Sequence, residues 1–259
     1  MPERPATPPG YTRVIRRGIE AVALASVARV IEQLLAEGTL YQYAEHHPEA
    51  RMLVGRGIVY AVPLPDGGPS VVVRHARHGG LLAPLTGDRF LGRTRAPREL
   101  DVALRLARVG VPTPEIVAYA IYPAGVSTYR ADVVTREVHD SRDLASALAD
   151  DPAPALKRDL LAATAKLLAR LAAAGARHPD LNLKNVLIAR DANGDPEAWV
   201  LDVDRVWFDV PGAPRVNEAN LRRVGRSARK LRRTRGLDIQ EADLLWLSAT
   251  VDEAVGARA

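Results

Sequence analysis

The sequence contains no cysteine, which excludes disulfide bonds, thiolate metal sites and cysteine nucleophiles and fits a reducing compartment. It also lacks an apolar run of the roughly 20 residues that a membrane-spanning helix needs. The most apolar early stretch covers only residues 21–28, and the N-terminus shows no charged segment followed by an apolar one, as a signal peptide would. We therefore expect a cytoplasmic protein.

Acidic residues are fewer than basic ones, so the formal net charge is +5 and the pI is near 9.7. This balance favours anionic partners: nucleotides, nucleic acid or an anionic membrane surface. Residues 222–235 include no acidic residue and eight basic ones, Arg222, Arg223, Arg226, Arg229, Lys230, Arg232, Arg233 and Arg235. Such a run is either a solvated helix face or a surface for an anionic membrane. No aromatic residue is interleaved with it, so we expect no nucleic-acid binding.

Short β-like runs dominate the first half of the chain. Residues 58–62 and 70–74 flank the turn sequence PDGG, which is a strong hairpin signal. A helical pattern begins at Pro97, and a second strand pair covers residues 117–121 and 129–137. The first ten residues contain four prolines and are expected to form a disordered tail.

From about residue 140 the pattern becomes helical. A long amphipathic stretch covers residues 155–174, and two further helices are predicted at about 217–234 and 239–254. A hairpin around the dipeptide NG at 193–194 is predicted between the long stretch and the first of these two helices. A β-rich half followed by a helical half predicts an α+β fold with two lobes. We expect a tail over residues 1–10, an N-lobe over 11–138 and a C-lobe over 139–259.

The segment 178–185 reads HPDLNLKN and is followed by the dipeptide LD at 201–202. Phosphoryl transfer requires a carboxylate that accepts the proton of the attacking hydroxyl, and oxygen ligands for Mg²⁺. Asp180 and Asn185 have the spacing of the kinase loop H-x-D-L-x-x-x-N, with the base first and the metal-binding amide five residues later. The predicted hairpin brings Asp202 back beside this loop as a second Mg²⁺ ligand.

Either motif alone is also explained by turn residues and a strand-end cap. Both together, in this order and joined by a hairpin, favour a phosphotransferase that uses ATP and Mg²⁺.

The first half of the chain offers groups that bind nucleotide phosphates. Gly55, Arg56 and Gly57 precede a β-run and are candidates for a shortened phosphate loop. The strand VVR at 72–74 is similar to the V-A-I-K strand of kinases, with Arg74 in place of the lysine. Arginine still binds phosphate, through a bidentate fork. Glu99, near the start of the next helix, is the candidate ion-pair partner; the alternative is that it complements the helix dipole.

Several motifs occur in one order along the chain. They are GRG at 55–57, VRH at 73–75, HGGL at 78–81, Arg95 with Glu99, YRAD at 129–132, HPDLN at 178–182 and LDVDR at 201–205. Together they resemble the Kdo/WaaP lipopolysaccharide-kinase family, and within it the 3-deoxy-D-manno-octulosonic acid (Kdo) kinases. The resemblance covers about residues 50–235.

The resemblance implies a protein-kinase-like fold and the ATP-dependent phosphorylation of a sugar hydroxyl of the lipopolysaccharide inner core, in particular the 4-hydroxyl of Kdo on lipid A precursor. It implies Asp180 as the base, Asn185 and Asp202 as Mg²⁺ ligands, and Arg74 with Glu99 as the phosphate-positioning pair. It also implies a location at the cytoplasmic face of the bacterial inner membrane. The basic segment 222–235 would then contact anionic lipid.

Two features separate this chain from protein kinases. Asn182 stands where they place a lysine, and only about a dozen residues lie between Asp202 and the next predicted helix. Both favour a glycolipid or small-molecule acceptor over a peptide. The alternatives are a kinase of the aminoglycoside or choline type, and a pseudokinase scaffold without turnover.

Overall fold

The computed structural model describes residues 6–54, 58–76, 90–91, 95–125 and 128–256. The chain divides into two compact units. The first comprises Met1–Asp101 with Glu115–Glu137, and the second comprises Val102–Pro114 with Val138–Ala259. A helix at Ala96–Arg108 continues from one unit into the other.

The first unit is built on an antiparallel sheet. Its strands are β1 (Tyr11–Arg16), β2 (Ile19–Leu24), β3 (Arg51–Val54), β4 (Ile58–Pro63), β5 (Ser70–His75), β6 (Phe90–Leu91), β7 (Ile116–Pro123) and β8 (Thr128–Arg136). Among the described residues the order is β1-β2-β7-β8-β5-β4-β3, and β6 pairs with β8. The predicted hairpins β4–β5 and β7–β8 are both present. In the first of them Asp66 and Gly67 have positive φ angles of 58° and 70°, as a type I′ turn requires.

Two helices cover this sheet, α1 (Ala28–Glu37) and α2 (Leu40–His46). The inner face of α1 buries Ile31, Leu34 and Leu35 in a cluster with sheet residues such as Val73 and Val134. Burying a side chain of this size contributes about 1.5–3 kcal/mol. This cluster therefore holds α1 on the sheet, where it lies over β1 and β2.

Strands β1 and β2 were not predicted. They pair with each other, and β2 also pairs with β7 in the register Ala21↔Ala120. This partner lies about a hundred residues away, so a local pattern does not reveal it. The end of the expected tail is hydrogen-bonded to this sheet. Pro8 O accepts from the Tyr11 amide at 3.1 Å, and Gly10 O accepts from the Ala25 amide at 2.9 Å.

The second unit is mostly helical. Its helices are the end of α3 (Ala96–Arg108), α4 (Leu144–Ala149), α5 (Pro154–Ala173), α6 (Pro214–Arg235) and α7 (Glu241–Gly256). Its short strands are β9 (Arg142–Asp143), β10 (Ala176–Arg177), β11 (Val186–Arg190), β12 (Pro196–Val200) and β13 (Trp207–Phe208). Helix α5 is the buried centre, packed on α6, α7 and β12. The predicted α+β fold, β-rich first and mostly helical afterwards, is confirmed.

None of the helices in the described ranges combines the length and the apolar character that crossing a bilayer requires.

Candidate functional site

The loop that follows β10 is held by a buried histidine. The His178 ring is 1 % exposed, and its Nδ1 accepts a hydrogen bond from the Asp180 amide at 3.2 Å. Its Nε2 lies 2.9 Å from the carbonyl oxygen of Leu201. A carbonyl only accepts, so the proton sits on Nε2 and the ring is neutral. His178 thus joins the loop of Asp180 to the segment of Asp202 through one oriented ring.

Burial lowers the pKa of His178 below its usual value of 6.5, because the charged ring would lose its hydration. The Leu201 carbonyl and the nearby carboxylates of Asp202, Asp180 and Asp204 act in the opposite direction but do not reverse the shift. Its hydrogen-bond pattern and its pKa shift agree on a neutral ring.

Asn185 lies at the end of a 3-10 turn over Leu183–Asn185 that leads into β11. Its side-chain amide donates to the backbone carbonyl of Asp180 at 2.9 Å, and it is 6 % exposed. The amide nitrogen is thereby fixed, and the carboxamide oxygen is the atom of this side chain that could bind a cation. Asn182 reinforces the same loop, because its amide also donates to Asp180 O and its oxygen accepts from the Lys184 amide.

The hairpin β11–β12 brings the Asp202 segment back to this loop, as predicted. Val186 pairs with Val200, and the Leu201 amide donates to the carbonyl of Asn185 at 3.0 Å. Asp202 then adopts a left-handed backbone with φ 55° and is solvent-exposed. A non-glycine residue in this region carries strain of about 1–3 kcal/mol, which is typical of functional positions. This turn follows β12, next to the loop that carries Asp180 and Asn185.

Asn185 and Asp202 fit Mg²⁺ in their donor chemistry, since carboxamide and carboxylate oxygens are ligands that this cation takes. Within the described ranges no group of three or more His, Cys, Asp or Glu side chains could hold a metal by itself.

Asn220 of α6 is a positioning residue that the sequence analysis missed. It is 1 % exposed; its Oδ1 accepts from the His178 amide at 3.0 Å and its Nδ2 donates to Ala176 O at 2.9 Å. Ser227, two turns later, accepts from the Leu183 amide at 3.1 Å. A polar residue on the apolar side of a basic helix was the available signal. Its partners lie more than 40 residues away, so the sequence alone did not identify its role.

In the first unit the predicted contact between Arg74 and Glu99 is present as an ion pair between Nη2 and Oε1. Glu99 is 5 % exposed, so it does more than complement the helix dipole at the surface. The role of the pair in phosphate binding stays a prediction.

Beside Arg74 lies a buried network centred on Asp132, which is fully buried. Its Oδ1 lies 2.6 Å from His75 Nδ1, and its Oδ2 accepts from the Tyr41 amide at 3.0 Å in the first turn of α2. The Tyr122 hydroxyl also hydrogen-bonds to this carboxylate and accepts from the Leu40 amide. The network therefore ties α2 to β5, β7 and β8, and so fixes the strand that carries Arg74.

The predicted phosphate loop, Gly55, Arg56 and Gly57, lies outside the described residues.

Comparison with known proteins gives a consistent result. Residues 54–249 match the model of the lipopolysaccharide kinase (Kdo/WaaP) family. A 3-deoxy-D-manno-octulosonic acid kinase of Xanthomonas oryzae pv. oryzae (strain PXO99A) is 36 % identical over 194 residues, covering 72 % of each chain. The kinase of the same name from Vibrio parahaemolyticus is 30 % identical over 198 residues, covering 75 % of this chain and 78 % of its own.

Among solved structures, one titled "WaaP in complex with acyl carrier protein" is 18 % identical, with a TM-score of 0.49 and coverage of 86 % of this chain and 96 % of that one. The kinase PK-1 of the Cydia pomonella granulovirus is 15 % identical, with a TM-score of 0.41 and coverage of 64 % of this chain and 55 % of that one. Both TM-scores lie below 0.5, so neither bears on function.

Proposed function

This chain belongs to the lipopolysaccharide kinase (Kdo/WaaP) family, and we propose that it phosphorylates the 4-hydroxyl of Kdo on lipid A precursor, with ATP as donor. The family assignment confirms the resemblance identified from the motifs, and with it the protein-kinase-like α+β fold. The chain is an ATP-dependent phosphotransferase that acts on a sugar hydroxyl of the lipopolysaccharide inner core. The particular sugar and hydroxyl, the metal and the site residues belong to the proposal.

The observation that supports this reaction is the way one loop orders a carboxylate and an amide. The backbone of Asp180 is held at its amide by His178 and at its carbonyl by Asn185. In the proposed reaction the sugar hydroxyl attacks the γ-phosphorus, its proton passes to the Asp180 carboxylate, and the bond to the β–γ bridging oxygen breaks to release ADP. In this proposal Asp180 acts as the base, and its backbone is held in place before substrate arrives.

Asn185 and Asp202 would hold Mg²⁺ through their side-chain oxygens. The bound cation would neutralise charge on the transferring phosphoryl group. Arg74 would contact the nucleotide phosphates, with Glu99 fixing its guanidinium.

Two observations support a sugar acceptor on a lipid over a peptide. Both polar atoms of Asn182 are used within the loop, at the position where protein kinases present a lysine. Only residues 203–213 separate Asp202 from α6, which begins at Pro214, so no long peptide-docking segment is present. The basic residues of α6 would hold the enzyme at an anionic membrane, each contributing about 1 kcal/mol near the surface.

The test is incubation with γ-labelled ATP, Mg²⁺ and Kdo-lipid A precursor, followed by mass spectrometry of the product. We expect one added phosphate on the Kdo 4-hydroxyl.

Asp180→Ala should lower transfer by about a thousandfold or more while leaving ATP binding unchanged. Asp202→Ala should weaken the binding of Mg²⁺-ATP itself, as measured by calorimetry. Transfer to a soluble aminoglycoside or to choline, and not to Kdo, would contradict the proposed acceptor. Wild-type turnover by Asp180→Ala would contradict the assignment of Asp180 as the base.

A further inference from the structure

A groove of about 410 Å³ runs along α6 in the second unit. Its lining consists of five arginines and one alanine, namely Arg177, Ala219, Arg222, Arg223, Arg226 and Arg229. Ligand sites in proteins have volumes of about 300–1,000 Å³, so the groove has the size of a phosphorylated sugar, well above that of a single ion.

Most of this positive charge is not neutralised by the protein. Arg229 pairs with Glu241 at 2.9 Å, and the Arg177 guanidinium lies 4.4 Å above the Trp207 ring. Arg222, Arg223 and Arg226 have no carboxylate partner among the residues that the structure describes. Like charges one turn apart destabilise a helix, so this cluster is an unfavourable arrangement until an anion occupies it. Guanidinium forks match phosphate oxygens in a bidentate manner.

The groove is built on the same framework as the catalytic loop. Arg177 precedes Asp180 by three residues, so their Cα atoms lie within about 11 Å of each other. Asn220, on the helix that carries the other arginines, bonds to the backbone on both sides of Arg177. An anion in the groove would therefore be held at a set distance from the base.

Apolar surface flanks the groove at β13. Trp207 is the strand partner of Arg177 and is 41 % exposed. Tryptophan is enriched where a membrane meets water, because its ring is apolar and its N–H is polar. A basic groove beside an exposed tryptophan ring fits an amphiphile better than it fits a free anion or a nucleic acid.

We infer that this groove binds a phosphate group of the acceptor glycolipid, and so places the sugar hydroxyl at Asp180. The inference rests on the proposed function, because it supplies the recognition of the acceptor for that reaction. It assigns to Arg177, Arg222 and Arg226 a task distinct from general attraction to the membrane.

The test compares two double variants with the same loss of charge on the same helix. Arg222→Gln with Arg226→Gln changes the groove, whereas Arg233→Gln with Arg235→Gln changes exposed arginines outside it. The probes are lipid A precursor in detergent micelles and the same molecule after phosphatase treatment, each titrated without ATP. We expect the groove variant to bind the phosphorylated form about tenfold more weakly or worse, with the control unchanged. The phosphatase-treated form should bind both variants and the wild type alike.

Kinetics with the Kdo-bearing acceptor give a second readout. The groove variant should lower kcat/KM for the acceptor by about tenfold or more, mainly by raising KM, whereas the control variant should keep the wild-type value. Equal binding and equal KM for the two variants would overturn the inference. The inference would also be overturned if the groove variant lost as much affinity for phosphatidylglycerol vesicles as for the phosphorylated acceptor, because both losses would then reflect general attraction between charges.

Failure of the proposed function gives a different pattern. Without any transfer to Kdo, the titration in the absence of ATP still measures phosphate-dependent binding by the groove. Normal transfer to Kdo, with acceptor binding and KM unaffected by Arg222→Gln with Arg226→Gln, would contradict the role of the groove and leave the proposed function standing.

Discussion

Asn220 illustrates how single residues position the chemistry without touching the reacting atoms. Both of its polar atoms are used on backbone groups around Arg177, in a site where an unmade hydrogen bond is not replaced by water. The His178 ring continues this chain of contacts to Asp180 and to Leu201. The backbone geometry at Asp180, the proposed base, thus depends on residues that are polar, buried and hydrogen-bonded.

Asn220→Ala should therefore lower kcat by about tenfold or more and leave KM for ATP nearly unchanged. It should also lower the free energy of unfolding by about 1–3 kcal/mol, because two buried backbone groups lose their partner. Asn217→Ala is the matched control, since Asn217 is also buried on α6 but bonds to Asp252. Urea unfolding and steady-state kinetics would check both. Equal kcat values for the two variants would remove Asn220 from the catalytic framework.

His178 predicts a pH dependence of stability. Its pKa in the folded protein is below 6.5, so the unfolded chain binds more protons in the window just under that value. The stability it contributes is fully present above about pH 6.5 and is lost as the pH falls below it. From about pH 7.5 to pH 5.5, without nucleotide or Mg²⁺, the wild type should lose more unfolding free energy than His178→Gln. Parallel pH profiles for the two proteins would contradict a buried neutral ring.

At the scale of elements, α6 carries two tasks on different faces. One face holds the catalytic loop through Asn220 and Ser227, and another lines the arginine groove. Helix α5 ends at Ala173 in a turn where Gly175 has φ 68°. This turn brings the chain directly into β10 and the loop of Asp180, so its backbone conformation affects the site.

Two glycines at these elements should respond in opposite directions to alanine. In Gly175→Ala the added Cβ would lie 2.4 Å from the backbone oxygen of Asp209, and the left-handed φ alone costs about 1–2 kcal/mol. In Gly225→Ala, inside α6, the Cβ would meet only the flexible end of Arg229 at 3.3 Å, and helix propensity favours alanine by about 1 kcal/mol. Thermal unfolding should show the first variant destabilised and the second neutral or stabilised. A stabilised Gly175→Ala would show that this turn is not as tight as described.

At the scale of the whole molecule, the excess of positive charge lies on one helix, because α6 contains nine basic residues and one acidic residue while the whole chain has a net charge of +5. Electrostatic attraction to a membrane depends on where the charge lies as well as on its sum, because screening limits its reach to about 10 Å at 0.1 M salt. Basic residues of α6 should therefore dominate binding to anionic vesicles.

Arg233→Glu with Arg235→Glu should reduce co-sedimentation with phosphatidylglycerol vesicles far more than Arg29→Glu with Arg108→Glu. Each Arg-to-Glu change removes one positive charge and adds one negative charge, so both variants have a formal net charge of +1. Binding of the wild type should fall as salt is raised, and neutral phosphatidylcholine vesicles serve as the control. Equal losses in the two variants would assign the effect to net charge and not to α6.

The sequence by itself determined the features whose signals are local. Four features could be predicted because each depends on residues close along the chain. They are the spacing of Asp180 and Asn185, the hairpin leading to Asp202, the β4–β5 turn and the order of the β-rich and helical halves. The motifs also sufficed for the family. The roles of individual site residues remain predictions, since they depend on substrates.

Only the tertiary structure decided which distant groups meet. Asn220 reaches His178 across 42 residues, Asp132 reaches Tyr41 across 91, and β2 finds β7. Such contacts depend on packing and on the pairing of buried polar groups, which leave no periodic trace in the sequence. The basic run of α6 was visible from the beginning as charge. Its division into a groove with Arg177 and an outer face at Arg233 follows from how the helix packs on the catalytic loop.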